Sequence, residues 1–192
     1  SEIKKLAQLA NTSTSSFQYY AKGAETVGIS MDKFANQMKG MQQNIGNFQQ
    51  TGGGPLADFF KNIAPQVGVT IAQFQKLSGP DALQLYYDSL VKANVSQESM
   101  QFYMEALISD STALIPLLEN GGAEFKKWGD AAQRAGAIMD DAMIKKFTNH
   151  GFAMAGSSSH DGQWNHACIY CCHFSYGHHY CSSGWFGGCT KR

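Results

Sequence analysis

Every cysteine and every histidine of this 192-residue chain lies beyond Lys146, five of the one and six of the other. Up to that residue a fold has to be made without disulfides and without thiol or imidazole metal ligands. Side-chain packing alone must hold it, which a segment of this length can sustain. Beyond it, from Phe147 to Arg192, stand one acidic residue, Asp161, and no basic residue before Lys191 and Arg192. Gly, Ser, His, Cys and aromatic residues fill that stretch. Residues 1–146 and residues 147–192 are two chemistries, and each is read by itself.

The first part is patterned for helices. Phe17, Tyr20, Ala21 and Ala24 form an apolar stripe at i, i+3, i+4, i+7. Further stripes follow at Met31, Phe34, Ala35, Met38 and Met41, at Leu56, Phe59, Phe60 and Ile63, and at Leu83, Tyr86, Tyr87 and Leu90. The last two are Met100, Tyr103, Met104 and Leu107, then Phe125, Trp128, Ala132 and Ala135. Period-two alternation is nowhere sustained. The expectation is an all-α array of short amphipathic helices in helix–turn–helix units. On this spacing most methionines and paired aromatics are core, yet Tyr86 and Tyr87 point about 100° apart. One member of such a pair is expected to face a partner protein.

The helix starts are spelled out. Ile29-Ser30, Val69-Thr70 and Val95-Ser96 each place a capping hydroxyl after a branched apolar residue. Phe34, Phe74 and Met100, five residues beyond the apolar one, complete three hydrophobic staples. Gly28, Gly68 and Asn94 suit the left-handed conformation that ends the preceding helix. Thr70 and Gln73 have the spacing of a capping box. Pro55 and Pro80 are expected at first helical positions and Pro65 at the end of a Leu56–Ile63 helix, while Pro116 is awkward inside Leu114–Leu118 unless that helix begins close to it. Thr51 to Gly54 and Gly121-Gly122 read as breaks.

Little in residues 1–146 suggests catalysis. With no Cys or His, the commonest nucleophile and acid–base chemistries have no carrier. Asp140-Asp141 is the one adjacent carboxylate pair, and it reads as favourable charge at the start of a helix. Gly52-Gly53-Gly54-Pro55 lacks the Lys-Ser/Thr of a phosphate loop. Fourteen acidic against thirteen basic residues leave no footprint for nucleic acid. No catalytic, cofactor-binding or metal residue is assigned, and neither a small-molecule substrate nor a specific nucleic acid is expected. No apolar run reaches the ~18–20 residues that span a bilayer.

Several peptides stand in a recognisable order. Leu9-Ala10-Asn11-Thr12-Ser13 precedes Thr26-Val27-Gly28-Ile29, then come Gly52 to Phe60 and Asn62-Ile63-Ala64-Pro65. Leu77 to Tyr86 (LSGPDALQLY), Phe102 to Leu107 (FYMEAL) and Asp110 to Leu118 (DSTALIPLL) complete the series. From about Leu6 to Ile144 the chain resembles the tail tape measure proteins of long-tailed bacteriophages and of prophages. That resemblance implies a structural protein of tail assembly and tail-length determination. It would act by contact with tail tube and tail assembly chaperone proteins, with self-association as a further contact. It implies a location in the virion tail, reached through the cytoplasm of the bacterial host. One continuous helix of this part would span only about 220 Å at ~1.5 Å per residue. The expectation is therefore a module of a truncated tape measure, not a complete ruler.

Residues 147–192 allow two readings. Cys168-x2-Cys171 and His178-x2-Cys181 could supply four zinc ligands, as in a small zinc-binding or nucleic-acid-binding regulator. Cys172, His173, His179 and Cys189 would then be bystanders. The loss of charge and of helical periodicity at one point favours the other reading, an out-of-frame, mostly disordered tail that binds no metal.

Overall fold

The computed structural model describes residues 1–154, with side chains through Phe147. The zinc candidates Cys168, Cys171, His178 and Cys181, and the expected disorder of the tail, lie outside the described residues. Within them there are ten α-helices and no strand, so the all-α expectation holds. The helices are α1 (Glu2–Leu9), α2 (Thr14–Thr26), α3 (Met31–Thr51), α4 (Ala57–Asn62) and α5 (Ala64–Val67). They continue as α6 (Ile71–Gln75), α7 (Gly79–Lys92) and α8 (Gln97–Leu107), then a 3-10 turn (Ser111–Leu114), α9 (Ile115–Arg134) and α10 (Asp141–Met154). The last helix starts before the compositional boundary at Lys146 and continues across it.

The three cap devices form where the sequence puts them. Ser30 Oγ accepts the Lys33 N–H at 3.2 Å, and Ser96 Oγ accepts the Ser99 N–H at 3.2 Å. Each such cap stabilises its helix by about 1 kcal/mol. At Thr70, Gln73 Oε1 reaches back to accept the Thr70 N–H at 2.9 Å. Gly28, Gly68 and Asn94 have φ of 81°, 72° and 53°, the left-handed conformation that terminates a helix. Ile29, Phe34 and Phe74 are buried, and Val69, Val95 and Met100 pack against the same core.

Two of the four prolines depart from the expectation. Pro55 lies in a turn two residues ahead of α4, while Pro80 sits in the first turn of α7 behind the Ser78 cap. The helix ahead of Pro65 does end, at Asn62, but Pro65 itself occupies the first turn of α5, where its missing N–H goes unneeded. Pro116 begins α9 in the same way. Gly52, at φ 68°, closes α3, which runs ten residues past the stripe that ends at Met41.

The core is aromatic. The Phe59 and Tyr86 rings stack at 4.2 Å between centroids, Phe74 meets Phe59 edge-on at 6.1 Å, and Phe60 stacks on Phe48 at 4.2 Å. The Tyr86 hydroxyl donates to the Tyr103 carbonyl at 2.6 Å, which ties α7 to α8. Tyr87 is buried as well, which overturns the expectation that one of these tyrosines faces outward. The reason is that α7 packs against α3, α5 and α9, so a wider arc than one stripe is covered. Phe102 does point out, at 58% exposure, beside a half-buried Tyr103.

The most extensive helix pair, α2 with α9, closes through two reciprocal glycines. A Cβ on Gly23 would stand 2.6 Å from the Phe125 ring, and one on Gly129 would enter the Tyr19 ring. Each helix thus lodges an aromatic of the other against bare backbone. This shifts the inner face of α9 to Gly122, Phe125 and Gly129, away from the expected Trp128 and Ala135, both of which are exposed. The Trp128 Nε1–H donates to Glu124 at 3.2 Å, with Lys127 over its ring.

Candidate interaction surfaces

A few ionisable groups of the described residues hold helices together. The Tyr19 hydroxyl donates to Asp130 Oδ1 at 2.8 Å, with the Lys126 carbonyl 3.2 Å away, and Lys126 Nζ meets Asp130 Oδ2 at 2.7 Å. Burial first, and then the Asp130 carboxylate, push the Tyr19 phenol up to about 12. The Lys126 ammonium and the Tyr19 hydroxyl hold Asp130 below the usual carboxylate range. Asp140 Oδ1 accepts the Met143 N–H at 2.6 Å, and Asp141 Oδ1 accepts from Thr14 Oγ1 at 2.8 Å. The adjacent pair therefore starts α10 and fastens it to α2, as charge at a helix start should. Among the described residues no three His, Cys, Asp or Glu side chains converge as metal ligands would.

Side-chain amides join elements far apart in sequence. Gln18 Nε2 donates to the Met139 carbonyl and Gln18 Oε1 accepts the Met139 N–H, at 2.8 and 3.0 Å. Gln37 Nε2 reaches the Ser109 and Asp110 carbonyls at 3.2 and 3.3 Å, and Asn44 Nδ2 reaches the Leu107 carbonyl at 2.9 Å. The Asn44 bond satisfies a carbonyl left open at the end of α8, and Gln37 serves two carbonyls of the loop that follows. These bonds also floor a groove of about 330 Å³ between α3 and that helix end, closed on one side by the Lys33–Asp110 ion pair at 3.1 Å. The groove offers amides, the Ser109 residue and one ion pair. Gln37 Oε1 is buried there without a hydrogen-bond partner.

A second cavity of about 330 Å³ lies where α7 faces an interruption in α9. From Glu119 to Gly122 the backbone leaves the helix, with Asn120, Gly121 and Gly122 all left-handed at φ of 53°, 69° and 83°. The expected break at Gly121-Gly122 is thus a four-residue kink. Gln84 secures it, donating through Nε2 to the Leu118 carbonyl at 2.9 Å and to Asp88 Oδ1 at 2.8 Å. A Cβ on Gly122 would stand 2.6 Å from Gln84 Oε1, so glycine is needed there for space as well as for φ. Tyr87 and Val91 supply apolar surface to the cavity, and Asp88 and Glu119 are its only charged lining groups. Burial, and then the charges of Glu119 and Asp88, raise the Tyr87 phenol above its ordinary range.

Gln84, Asp88 and Glu119 carry no signal in the sequence as site residues. Nothing along the chain says that a helix at 79–92 faces a kink some thirty residues on. The breaking glycines were legible, but their partner was not. No protein-family model, no curated protein and no solved structure matches the chain.

Proposed function

We propose that the helical part of this chain is a module of a phage or prophage tail tape measure protein, acting by protein–protein contact in tail assembly. The observation that carries this reading is the ordered series of peptides from Leu9-Ala10-Asn11-Thr12-Ser13 to Asp110 to Leu118. The physical character of the described residues is compatible with it. Several of their buried and half-buried polar side chains are engaged in capping helices or in clamping one helix to another. No described helix is long and apolar enough to cross a membrane. Tail tube and tail assembly chaperone proteins are the partners this reading names, with the virion tail as its location.

The test has a genetic arm and a biochemical one. Tail tube, chaperone and baseplate genes should flank the coding sequence. The full chain co-expressed with the neighbouring tube and chaperone proteins should elute with them as one complex in size-exclusion chromatography. Neighbours unrelated to phage tails, together with a chain that elutes alone, would sink the proposal.

A further inference from the structure

The groove between α3 and the end of α8 holds two amides whose nitrogens are fully used. Gln37 Nε2 donates to the Ser109 and Asp110 carbonyls, and Asn44 Nδ2 to those of Ala106 and Leu107, at 3.4 and 2.9 Å. Each nitrogen carries two hydrogens, so what these side chains keep for the groove is an acceptor oxygen. Gln37 is 6% exposed and its Oε1 has no partner among the described residues, a buried acceptor left unpaired at a cost. Between the two amides, on the same face of α3, stands Gly40. Nothing lies within 4 Å of the place a Cβ would take there, and its φ is not left-handed. Neither packing nor backbone geometry calls for a glycine at this point, where it weakens the helix relative to alanine. What the bare backbone does is leave the floor of the groove open.

We propose that this groove receives the main chain of an extended segment of a partner protein, whose N–H groups bond Gln37 Oε1 and Asn44 Oδ1. The lining selects among guests. None of the described residues that line it is aromatic, so a sugar or a base has no ring to stack on. Its one cation, Lys33, and its one anion, Asp110, are paired with each other at 3.1 Å, which leaves no free charge for a phosphate or a metal ion. What fits is a neutral guest that carries donors at intervals, and a peptide backbone is such a guest. The exposed Gln43 amide on the rim can donate to a carbonyl of the same segment. Water does not reach Gln37 Oε1, so the donor enters past the Lys33–Asp110 pair, whose two exposed members part at little cost. This inference rests on the reading that the module works by protein contact, and it adds the chemistry of one such contact.

The probe is acetyl-Ala-Ala-Ala-amide, titrated into the full chain while backbone amide and Asn44 side-chain resonances are followed by NMR. Saturable shifts with a Kd on the order of millimolar are expected, confined to Gly40, Asn44 and residues 107–110. The same peptide methylated at every nitrogen keeps its carbonyls but offers no N–H, and should bind about 10-fold more weakly, the loss expected for hydrogen bonds left unmade. Gly40→Leu places a side chain in the open groove and should weaken the peptide by about 10-fold or more, with an unchanged helical spectrum and no loss of melting temperature. Equal affinity for the methylated peptide, undiminished affinity in Gly40→Leu, or shifts that never saturate would each overturn the inference. Saturable shifts at the same residues from maltotriose or sodium phosphate would assign the groove to a sugar or an anion and overturn it too. A Gly40→Leu chain that loses the peptide but still joins the tail complex like wild type would also overturn it, while leaving the proposed function intact. A wild-type chain that binds the peptide but joins no tail complex would keep the groove assignment and remove the proposed function.

Discussion

The side chain of Gln18 forms two hydrogen bonds with the backbone of Met139, donating to its carbonyl at 2.8 Å and accepting from its N–H at 3.0 Å. An amide matches the donor and acceptor of a peptide group, so Gln18 behaves toward Met139 as a neighbouring strand would. The bond joins α2 to the link between α9 and α10 across 121 residues. Gln18 is itself 2% exposed, while Met139 is half-buried, so both bonds are partly shielded from water.

Gln18→Leu should therefore destabilise the chain by about 1–2 kcal/mol, since a half-buried peptide N–H and C=O lose their partners together. Gln66→Ala, which removes one exposed bond to the Asn62 carbonyl, should cost less than about 0.5 kcal/mol. Urea denaturation of the two variants checks the contrast. Equal midpoints would show that the Met139 clamp has no special weight. Amide exchange at Met139 should accelerate in the leucine variant alone.

The reciprocal glycines of α2 and α9 give a change of sign among Gly→Ala substitutions. Gly129→Ala meets the Tyr19 ring and should cost about 1–3 kcal/mol, the usual range for overpacking. Gly40→Ala lies inside α3 with nothing within 4 Å of the added methyl, and should stabilise by about 0.5–1 kcal/mol. In a Tyr19→Ala background the Gly129→Ala cost should largely vanish, a coupling read from a double-mutant cycle. Additive costs would mean that the ring and the glycine do not compete for the same space.

Alkaline pH should weaken the fold through Tyr19. Its phenol ionises near 10 in an unfolded chain and is held to about 12 in the folded one. The folded state keeps the proton that the unfolded state releases, so this contribution is complete below about pH 10 and is lost between about 10 and 12. Burial, with the carboxylate of Asp81 beside it, shifts Tyr20 in the same direction, and burial does so at Tyr86. Denaturation midpoints measured from pH 8 to 11.5 should fall less steeply for Tyr19→Phe than for the wild type. Superimposable profiles would remove Tyr19 from the account.

Protein purified without an affinity tag should contain no stoichiometric zinc. The Cys168→Ser, Cys171→Ser double variant should then melt like the wild type. One zinc per chain, lost in that variant together with cooperative melting, would favour the metal-binding regulator over the tape measure module.

Local chemistry was open to reading wherever a few neighbouring residues settle it. Ser30, Thr70 and Ser96 start helices because an orphan N–H within the next turn needs a nearby oxygen, and the distance along the chain fixes that geometry. Gly28, Gly68 and Asn94 end helices because their own φ permits it. Pro65 and Pro116 were harder, since a proline that ends one helix and one that begins the next differ only in what lies on either side of them.

Helical class, caps, staples and the break at Gly121-Gly122 were determined by the sequence itself, because each is an interaction within about five residues. Tertiary structure decided which faces are inside. It buried both Tyr86 and Tyr87 by surrounding α7, and it turned Trp128 outward because Gly23 and Gly129 let α2 and α9 approach more closely than Trp128 would allow. It also brought Asp88 and Glu119 to one cavity, and Gln18 against Met139. Such pairings depend on the order in which helices dock, and docking is a sum of packing contacts over distant elements that no local pattern along the chain encodes.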